Sequence, residues 1–327
     1  MQGVFLDTGS LLSGSTDRPD LDFSAIEALP VSWRHYSETA PDQVVERLAS
    51  AAIAVTNKVV LDAERIAALP ELKLIAVAAT GVNNVDLDAA RKQGIGVCNV
   101  TAYATPSVVQ HVFMLILVLL RNLPAYRVAL AKGRWQQSPH FCLLDYPIDE
   151  LQDKVLGIIG YGELGKAVAQ MGEAFGMRCL VAQRDASDQR PDRVSLDELL
   201  AQADVLSLHC PLTDQTRGLI GAKQLARMKP DAILINTARG GIVDEAALHQ
   251  ALVEGRLGGA GMDVLAEEPP LAGNPLLGTK LDNLIVTPHI AWASRASRQR
   301  LLDQVAENIA SYLSDEPLRN TVVEPAF

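Results

Sequence analysis

Short apolar runs alternate with helical patterns along the whole chain. The runs predict strands at residues 4–6, 52–55, 74–78, 97–99, 155–159, 178–182, 205–209, 232–236, 259–264 and 284–287. Segments between them, such as 41–50 and 62–69, carry apolar residues at helical spacing and predict helices. This alternation predicts an α/β fold of parallel sheets with helices on both faces.

One long helical pattern interrupts the alternation. It begins near Thr105-Pro106-Ser107, where proline suits a first turn, and it ends at about Arg121. A second long pattern, at 294–314, follows the last strand. We interpret both as helices that pass between two Rossmann-like domains. A dinucleotide-binding domain at 101–290 is then inserted into a substrate domain made of 1–100 and 291–327.

The composition narrows the class of protein. A chain of 327 residues, 48% of them apolar, fits two domains with large cores. The formal net charge of −10 argues against nucleic acid or an anionic membrane as a partner. The longest apolar run, 112–120, is far shorter than the roughly 20 residues of a membrane span. Residues 1–10 lack the pattern of a signal peptide, so we expect a cytoplasmic protein.

The four cysteines predict neither disulfides nor a metal site. Cys98, Cys142, Cys179 and Cys210 are far apart, and their spacing is not that of metal ligands. Because each lies among apolar neighbours, we interpret them as buried free thiols in a reducing compartment.

A glycine-rich motif predicts a dinucleotide site. The apolar strand 155–159 runs directly into G-Y-G-E-L-G at 160–165, and residues 166–175 continue as a helix. In this context Gly160 permits a tight turn, Gly162 lets the backbone approach a pyrophosphate, and Gly165 lets helix and strand pack closely. The pyrophosphate would then lie at the N-terminus of the helix.

The residues after the next strand bear on the choice between NAD and NADP. An acidic side chain usually follows this strand in NAD enzymes, but here Gln183 stands there, followed by Arg184. A neutral glutamine does not repel a 2′-phosphate, and Arg184 could pair with one. Asp185 could instead hold the ribose if the loop is shifted. We therefore expect NAD(P)H as cofactor, with tolerance of NADP(H).

Three polar residues at strand ends predict the chemistry. Arg239, Glu268 and His289 each follow a predicted strand of the dinucleotide-binding domain. Ligands of open α/β sheets bind at the carboxyl ends of the strands, so one crevice could receive all three side chains. A histidine can give a proton to the oxygen of a reduced carbonyl, and a neighbouring carboxylate favours the imidazolium and fixes the ring. An arginine can hold the carboxylate of a 2-oxo acid.

These motifs resemble those of the D-isomer-specific 2-hydroxyacid dehydrogenase family. The segments that carry the likeness are T-G-V-N-N-V-D at 80–86, the 160–165 loop, N-T-A-R-G-G at 236–241, residues 263–269 and T-P-H at 287–289. Within the family the chain is most similar to bacterial glycerate dehydrogenases, also called hydroxypyruvate reductases. The segments that carry this likeness are 105–111, 133–138, 268–275 and 289–292. This implies reduction of hydroxypyruvate to D-glycerate, glyoxylate as a second substrate, and a homodimer formed through the cofactor domain.

The resemblance also assigns residues. It implies that Arg239, Glu268 and His289 are catalytic, and that Thr80 and Gly81 meet the substrate together with Arg239 and His289. The implied cofactor contacts are Thr80, Gly160, Gly162, Glu163, Leu164, Gly165, Gln183, Arg184, Cys210, Thr237, Ala238, Asp263 and Ala291. Trp292 is bulkier than the residue often found after the histidine loop. It either shapes the substrate pocket or packs the hinge, and we favour packing.

The same fold also carries functions other than the reduction of hydroxypyruvate. Glu268 argues against a formate dehydrogenase, which typically pairs the histidine with glutamine. A dehydrogenase for D-lactate or 3-phosphoglycerate, or a cofactor-sensing corepressor that binds proteins, would retain the same motifs.

Overall fold

The computed structural model describes residues 1–12, 20–185, 187–188 and 190–325. It divides the chain into two compact units. Unit 1 comprises Met1–Ala104 and Ala293–Phe327, and unit 2 comprises Thr105–Trp292. Both units are built on parallel sheets, so the predicted α/β fold is confirmed.

In its described part, unit 1 contains one sheet, four short helices and one long helix. Its strands are β1 (Gln2–Phe5), β2 (Ser32–His35), β3 (Ile53–Thr56), β4 (Leu74–Val77), β5 (Gly96–Cys98) and β13 (Thr321–Val323). They lie in the order β13-β5-β4-β3-β1-β2, and all pair in parallel except β13. The helices are α1 (Ser24–Glu27), α2 (Val44–Leu48), α3 (Ala63–Ala67), α4 (Leu87–Gln93) and α11 (Arg295–Leu313), with a 3-10 turn at Thr8–Ser10.

Unit 2 contains a doubly wound sheet whose described strands all pair in parallel. Its strands are β6 (Val155–Ile159), β7 (Arg178–Ala182), β8 (Arg193–Val194), β9 (Val205–Leu208), β10 (Ile233–Asn236), β11 (Gly259–Met262) and β12 (Leu284–Val286). They lie in the order β12-β11-β10-β9-β6-β7-β8. The helices are α5 (Thr105–Leu120), α6 (Leu123–Ala131), α7 (Glu163–Ala174), α8 (Leu196–Gln202), α9 (Ala222–Leu225) and α10 (Glu245–Val253).

The strand order of unit 2 fixes where a ligand can bind. From β6 the chain passes to β7 and β8 on one side, and then returns to β9 on the other side of β6. Beyond the carboxyl ends of β6 and β9 the connections therefore diverge and leave a crevice. Buried apolar side chains such as Ile159, Leu206 and Leu234 fill the core below it.

Every strand predicted from the apolar runs is present, with ends that differ by at most two residues. The long patterns at 105–121 and 294–314 correspond to α5 and α11. The prediction missed β2, β8 and β13. The reason for β2 is that it is an edge strand whose S-W-R-H sequence is mostly exposed, so no apolar run marks it. The other two are only two and three residues long.

None of the helices in the described part of the chain is by itself long and apolar enough to cross a membrane. The helices α5 and α6 meet that test of length and composition only as a pair, and a bend of 56° separates them. Nine residues of α5 are buried within the fold, as expected of a core helix.

Candidate active site

The glycine loop lies between β6 and α7, at the point where the strand order reverses. Gly160 has a φ of +92°, and a Cβ there would stand 2.5 Å from the backbone nitrogen of Cys210. A Cβ on Gly165 would stand 2.0 Å from the carbonyl oxygen of Gly160. Only glycine fits at these two positions, and α7 therefore begins close against the strand ends.

The start of α7 is open to an anionic ligand. Gly162 is the N-cap of α7. Among the described residues, no side chain caps the helix, and a Cβ on Gly162 would meet no atom within 4 Å. The first backbone N–H groups of a helix have no partner within it and attract negative charge. Glu163 and Leu164 form the first turn, where the Glu163 carboxylate accepts a hydrogen bond from Thr105 Oγ1.

A second feature of the crevice fits a dinucleotide. Thr237 follows β10, and its Oγ1 is buried without a hydrogen-bond partner among the described residues. A buried hydroxyl without a partner is costly, and a bound polar ligand would satisfy it. The open cradle at Gly162 and this hydroxyl both fit a nicotinamide dinucleotide. The groups that would hold it are the backbone of the 160–165 loop and the Thr237 hydroxyl.

The residues after β7 are those expected near the adenosine ribose. Gln183 donates its backbone N–H to Val194 O at 2.8 Å, at the end of the strand pair. The Asp185 carboxylate accepts from Ser187 N and Ser187 Oγ, at 2.9 and 2.5 Å, so it closes a local turn. The exposed guanidinium of Arg184 forms no ion pair with any described residue.

The other cations of this loop are already paired. Arg190 donates to the Asp188 carboxylate, with Nη2 at 2.5 Å from Oδ2. The side chain of Arg193 pairs with Asp192, and its guanidinium lies over the Tyr161 ring, 4.6 Å from the centroid. Arg184 is therefore the cation of this loop that remains available to an anionic ligand.

His209 is a half-buried histidine behind the glycine loop, and its Nδ1 is shielded from solvent. Its Nε2 lies 2.9 Å from Ser207 Oγ, whereas its Nδ1 has no partner among the described residues. Burial lowers the pKa of His209 to about 4. This histidine stays neutral in the folded protein at a pH where the same residue in an unfolded chain, with a pKa of about 6.5, binds a proton.

The burial of His209 predicts acid sensitivity. Below a pH of about 6.5 the unfolded state binds the proton and the folded state does not, so the free energy of unfolding falls as the pH drops towards 4. Between pH 7 and 5 the wild type should lose about 2 kcal/mol more than His209→Gln. Urea unfolding at several pH values measures this, with the exposed His140→Gln as control. If the free energy of unfolding changed equally with pH in the wild type and in His209→Gln, the prediction would be wrong.

The three predicted catalytic residues follow three adjacent strands. Arg239 lies just after β10, Glu268 lies in the loop after β11, and His289 lies in the loop after β12. Strands β10, β11 and β12 are neighbours and parallel, so their carboxyl ends face the same edge of the sheet. The sheet thus brings the three loops together at one edge of unit 2.

His289 and Glu268 form a direct pair. Nδ1 of His289 lies 2.6 Å from Oε2 of Glu268, and the other carboxylate oxygen accepts from Leu265 N at 2.8 Å. Because a carboxylate oxygen accepts, Nδ1 carries the hydrogen, and Nε2 is left for another partner. Both side chains are about one third exposed, so a ligand can reach them. The pair has the geometry of a proton donor oriented by a carboxylate.

The loop of Arg239 packs directly on the loop that leads to Glu268. A Cβ on Gly240 would stand 1.7 Å from Leu265 O, so only glycine allows this approach. Asn236 fixes the turn, since its side chain donates to Arg239 O and accepts from Ala238 N, at 2.9 and 3.0 Å. The Arg239 guanidinium is exposed, and one of its nitrogens donates to Ala238 O. The remaining donors are free to hold a carboxylate.

Asp263 organises the loop that carries His289. Its buried carboxylate accepts from Thr287 Oγ1 at 2.6 Å, from Ile290 N at 2.9 Å and from Ala291 N at 2.8 Å. Its backbone carbonyl accepts from His289 N at 2.8 Å. His289 itself has a φ of +55°, in the left-handed region, which costs about 1 kcal/mol or more for a residue other than glycine. The contacts of Asp263 maintain this conformation.

His111 on α5 supports Asp263. The Thr287 hydroxyl uses its one hydrogen to reach Asp263, so the contact of 2.9 Å between His111 Nε2 and Thr287 Oγ1 is a donation from the histidine. Burial lowers the pKa of His111, and the Asp263 carboxylate opposes that shift. Sequence reasoning missed the roles of His111 and Thr287, because no motif indicates that a helix and a distant loop meet.

The structure distributes the predicted site residues over both units. The cofactor candidates after β6, β7, β9, β10, β11 and β12 all lie at the carboxyl edge of the unit 2 sheet, and among them burial raises the pKa of the Cys210 thiol. Thr80 and Gly81 belong to unit 1, where they follow β4 and where Asn99 Nδ2 donates to Thr80 O at 2.7 Å. No group of three or more His, Cys, Asp or Glu side chains suited to a metal ion exists in the described ranges.

Comparison with known proteins identifies the family. Residues 113–291 match the model of the D-isomer specific 2-hydroxyacid dehydrogenase NAD binding domain. A glycerate dehydrogenase of Methylorubrum extorquens is 48% identical over 92% of this chain and 96% of its own length. A hydroxypyruvate reductase of Blautia hydrogenotrophica is 38% identical over 91% of this chain and 94% of its own length.

A solved structure is similar to this chain over nearly its whole length. An NADPH-dependent glyoxylate/hydroxypyruvate reductase of Sinorhizobium meliloti, in complex with NADP and malonate, superimposes with a TM-score of 0.79 at 27% identity. The superposition covers 99% of this chain and 97% of that one. The match to the domain model, the two relatives and this likeness extend over the segment that holds the glycine loop and the His289–Glu268 pair. The chain therefore belongs to the D-isomer specific 2-hydroxyacid dehydrogenases.

Proposed function

We propose that this dehydrogenase reduces hydroxypyruvate to D-glycerate, and glyoxylate to glycolate, with NADH or NADPH. The observation that carries the reaction is the contact of 2.6 Å between His289 Nδ1 and Glu268 Oε2 at the carboxyl edge of the sheet. The choice of substrate is supported by the relatives named glycerate dehydrogenase and hydroxypyruvate reductase, which align over nearly the whole chain.

Three residues, His289, Glu268 and Arg239, have separate roles in the proposed reaction. When bound, the reduced nicotinamide supplies the hydride that the carbonyl carbon of the oxo acid receives. His289 donates the proton from Nε2 to the carbonyl oxygen, which becomes the hydroxyl group, and takes it back in the reverse reaction. Glu268 holds the ring through Nδ1 and stabilises the imidazolium, and Arg239 binds the substrate carboxylate. We further propose that Thr80 and Gly81 contact that carboxylate through their backbone.

We propose that the cofactor site accepts NADPH as well as NADH. Gln183 carries no charge to repel a 2′-phosphate, and the exposed Arg184 has no ion-pair partner among the described residues. Asp185, the alternative ligand of a ribose hydroxyl, is already bonded to Ser187. A phosphate beside Arg184 would gain charge-assisted hydrogen bonds.

A spectrophotometric panel tests both substrate and cofactor. The purified chain is assayed with hydroxypyruvate, glyoxylate, pyruvate and 3-phosphohydroxypyruvate, each with NADH and with NADPH. We expect the highest kcat/KM for hydroxypyruvate and measurable turnover with both cofactors. A higher kcat/KM for pyruvate or 3-phosphohydroxypyruvate would mean that this oxo acid, and not hydroxypyruvate, is the substrate. A strong preference for NADH would refute the role of Arg184. No turnover with any of them would favour a protein that senses the cofactor and binds other proteins.

We propose a homodimer in the cytoplasm as the working form. Phe141 and Leu144, in the segment between α6 and β6 of unit 2, are 92% and 76% exposed, and a second copy of this chain would cover them. All four cysteines are free thiols, as predicted, but of the four Cys98 alone is buried, whereas Cys142, Cys179 and Cys210 are half-buried. Burial raises the pKa of Cys98 to about 12 and that of Cys179 to about 11, which leaves these thiols unreactive in a reducing compartment.

A further inference from the structure

The peptide group that joins His289 to Ile290 is held at both of its polar ends. Its N–H, on Ile290, donates to Asp263 Oδ1 at 2.9 Å. Its C=O, on His289, accepts from the indole Nε1 of Trp292 at 3.0 Å. A peptide plane bonded on both sides cannot rotate without losing a hydrogen bond, so ψ of His289 is fixed.

The other dihedral of His289 is fixed as well. The N–H of His289 donates to Asp263 O at 2.8 Å and to Thr287 O at 3.0 Å. With both dihedrals held, the left-handed φ of +55° persists although histidine disfavours it. These dihedrals set the direction of the Cα–Cβ bond of His289, from which the imidazole reaches Glu268 with its Nδ1.

We propose that Trp292 is a positioning residue for proton transfer by His289, rather than a packing residue. The inference rests on the proposed function of the His289–Glu268 pair. The Asp263 carboxylate accepts from the Ile290 N–H, and the indole N–H of Trp292 donates to the His289 carbonyl at the other end of the same peptide group. Without that donor, the bond from Ile290 N to Asp263 holds one end of the peptide group alone, and the ring keeps its alignment with Glu268 and the substrate less well. If Trp292 only packed against its neighbours, phenylalanine at this position would serve equally well.

Trp292→Phe tests this proposal because it removes the N–H and keeps an aromatic ring. We expect kcat for the preferred oxo acid to fall about tenfold, the order of one lost hydrogen bond. The solvent deuterium isotope effect on kcat should rise, because proton transfer becomes slower relative to the other steps. The dissociation constant of the reduced cofactor should change less than twofold.

A matched control exists in unit 1. The indole Nε1 of Trp33 also donates to a backbone carbonyl, that of Ile26, at 3.0 Å. Trp33→Phe therefore loses the same kind of bond in unit 1, whereas the glycine loop and the His289–Glu268 pair belong to unit 2. This variant should keep the wild-type kcat and isotope effect. Trp292→His, which retains a ring N–H, should recover part of the lost kcat.

One readout is independent of turnover and separates this inference from the proposed function. The His289 Nδ1 proton, bonded to Glu268, should give a downfield proton NMR signal that is absent in His289→Gln. We expect this signal to shift or broaden in Trp292→Phe and to stay unchanged in Trp33→Phe, whichever oxo acid is the substrate. An unchanged signal in Trp292→Phe, an unchanged kcat, or loss of cofactor binding in both Trp292 variants would assign Trp292 to packing and overturn the proposal.

Discussion

His289→Gln should lower kcat for hydroxypyruvate by about 10²–10⁴-fold, the range that one proton-transferring side chain contributes. Glutamine cannot give up a proton at neutral pH, although it is polar and similar in length. The affinity for reduced cofactor should change little, since the glycine loop and Thr237 lie on other strand ends. Steady-state rates and a cofactor titration by fluorescence measure the two effects separately.

The exposed His140 gives a control for this variant. His140→Gln alters the same residue type in the segment between α6 and β6, and it should retain wild-type kcat. Unchanged turnover in His289→Gln would remove this residue from the mechanism. Loss of cofactor binding together with turnover would indicate that the substitution disturbs the loop held by Asp263 instead of removing a proton donor.

Arg239→Lys should lower kcat/KM for the oxo acid by about 10- to 100-fold, mainly through a higher KM. Lysine keeps the charge but replaces a planar fork of donors with a single ammonium, so one of two charge-assisted hydrogen bonds is lost. The Gly240 contact with Leu265 O fixes the loop, so a longer or shorter side chain cannot be accommodated by moving the backbone. Initial rates over a range of oxo acid concentrations measure the change.

The ion pair of Arg227 with Asp197 provides the comparison for Arg239. Arg227 lies after α9, and its side chain is 39% exposed. Arg227→Lys should leave KM unaltered, because an exposed ion pair contributes little. An Arg239→Lys protein with wild-type KM would show that another group holds the substrate carboxylate.

The fold followed largely from the apolar pattern. Parallel strands buried on both faces, such as β3, β4 and β10, are continuous apolar runs that stand out in the sequence. An edge strand such as β2 carries Trp33, Arg34 and His35, and only its pairing with β1 makes it a strand. Local sequence does not encode that pairing.

The candidate site could also be predicted in part from the sequence. Glycine spacing and the polar residues after strands indicated the loop at 160–165 and the Arg239, Glu268 and His289 positions, since topology dictates where strand ends meet. The supports of His289 could not be predicted. The left-handed φ of His289 and the donation from Trp292 depend on backbone geometry, and the role of His111 depends on the packing of α5 against the loop after β12.

We propose that His289 and Glu268 act as one unit in proton transfer, and a double-mutant cycle measures this coupling. The measurement is kcat for hydroxypyruvate in the wild type, Glu268→Gln, His289→Gln and the double variant, with Glu267→Gln as the neighbouring control. Because Glu268 acts through the imidazole, the double variant should be no slower than His289→Gln alone. Losses that multiply in the double variant would contradict the account, since they would mean that the two residues contribute independently.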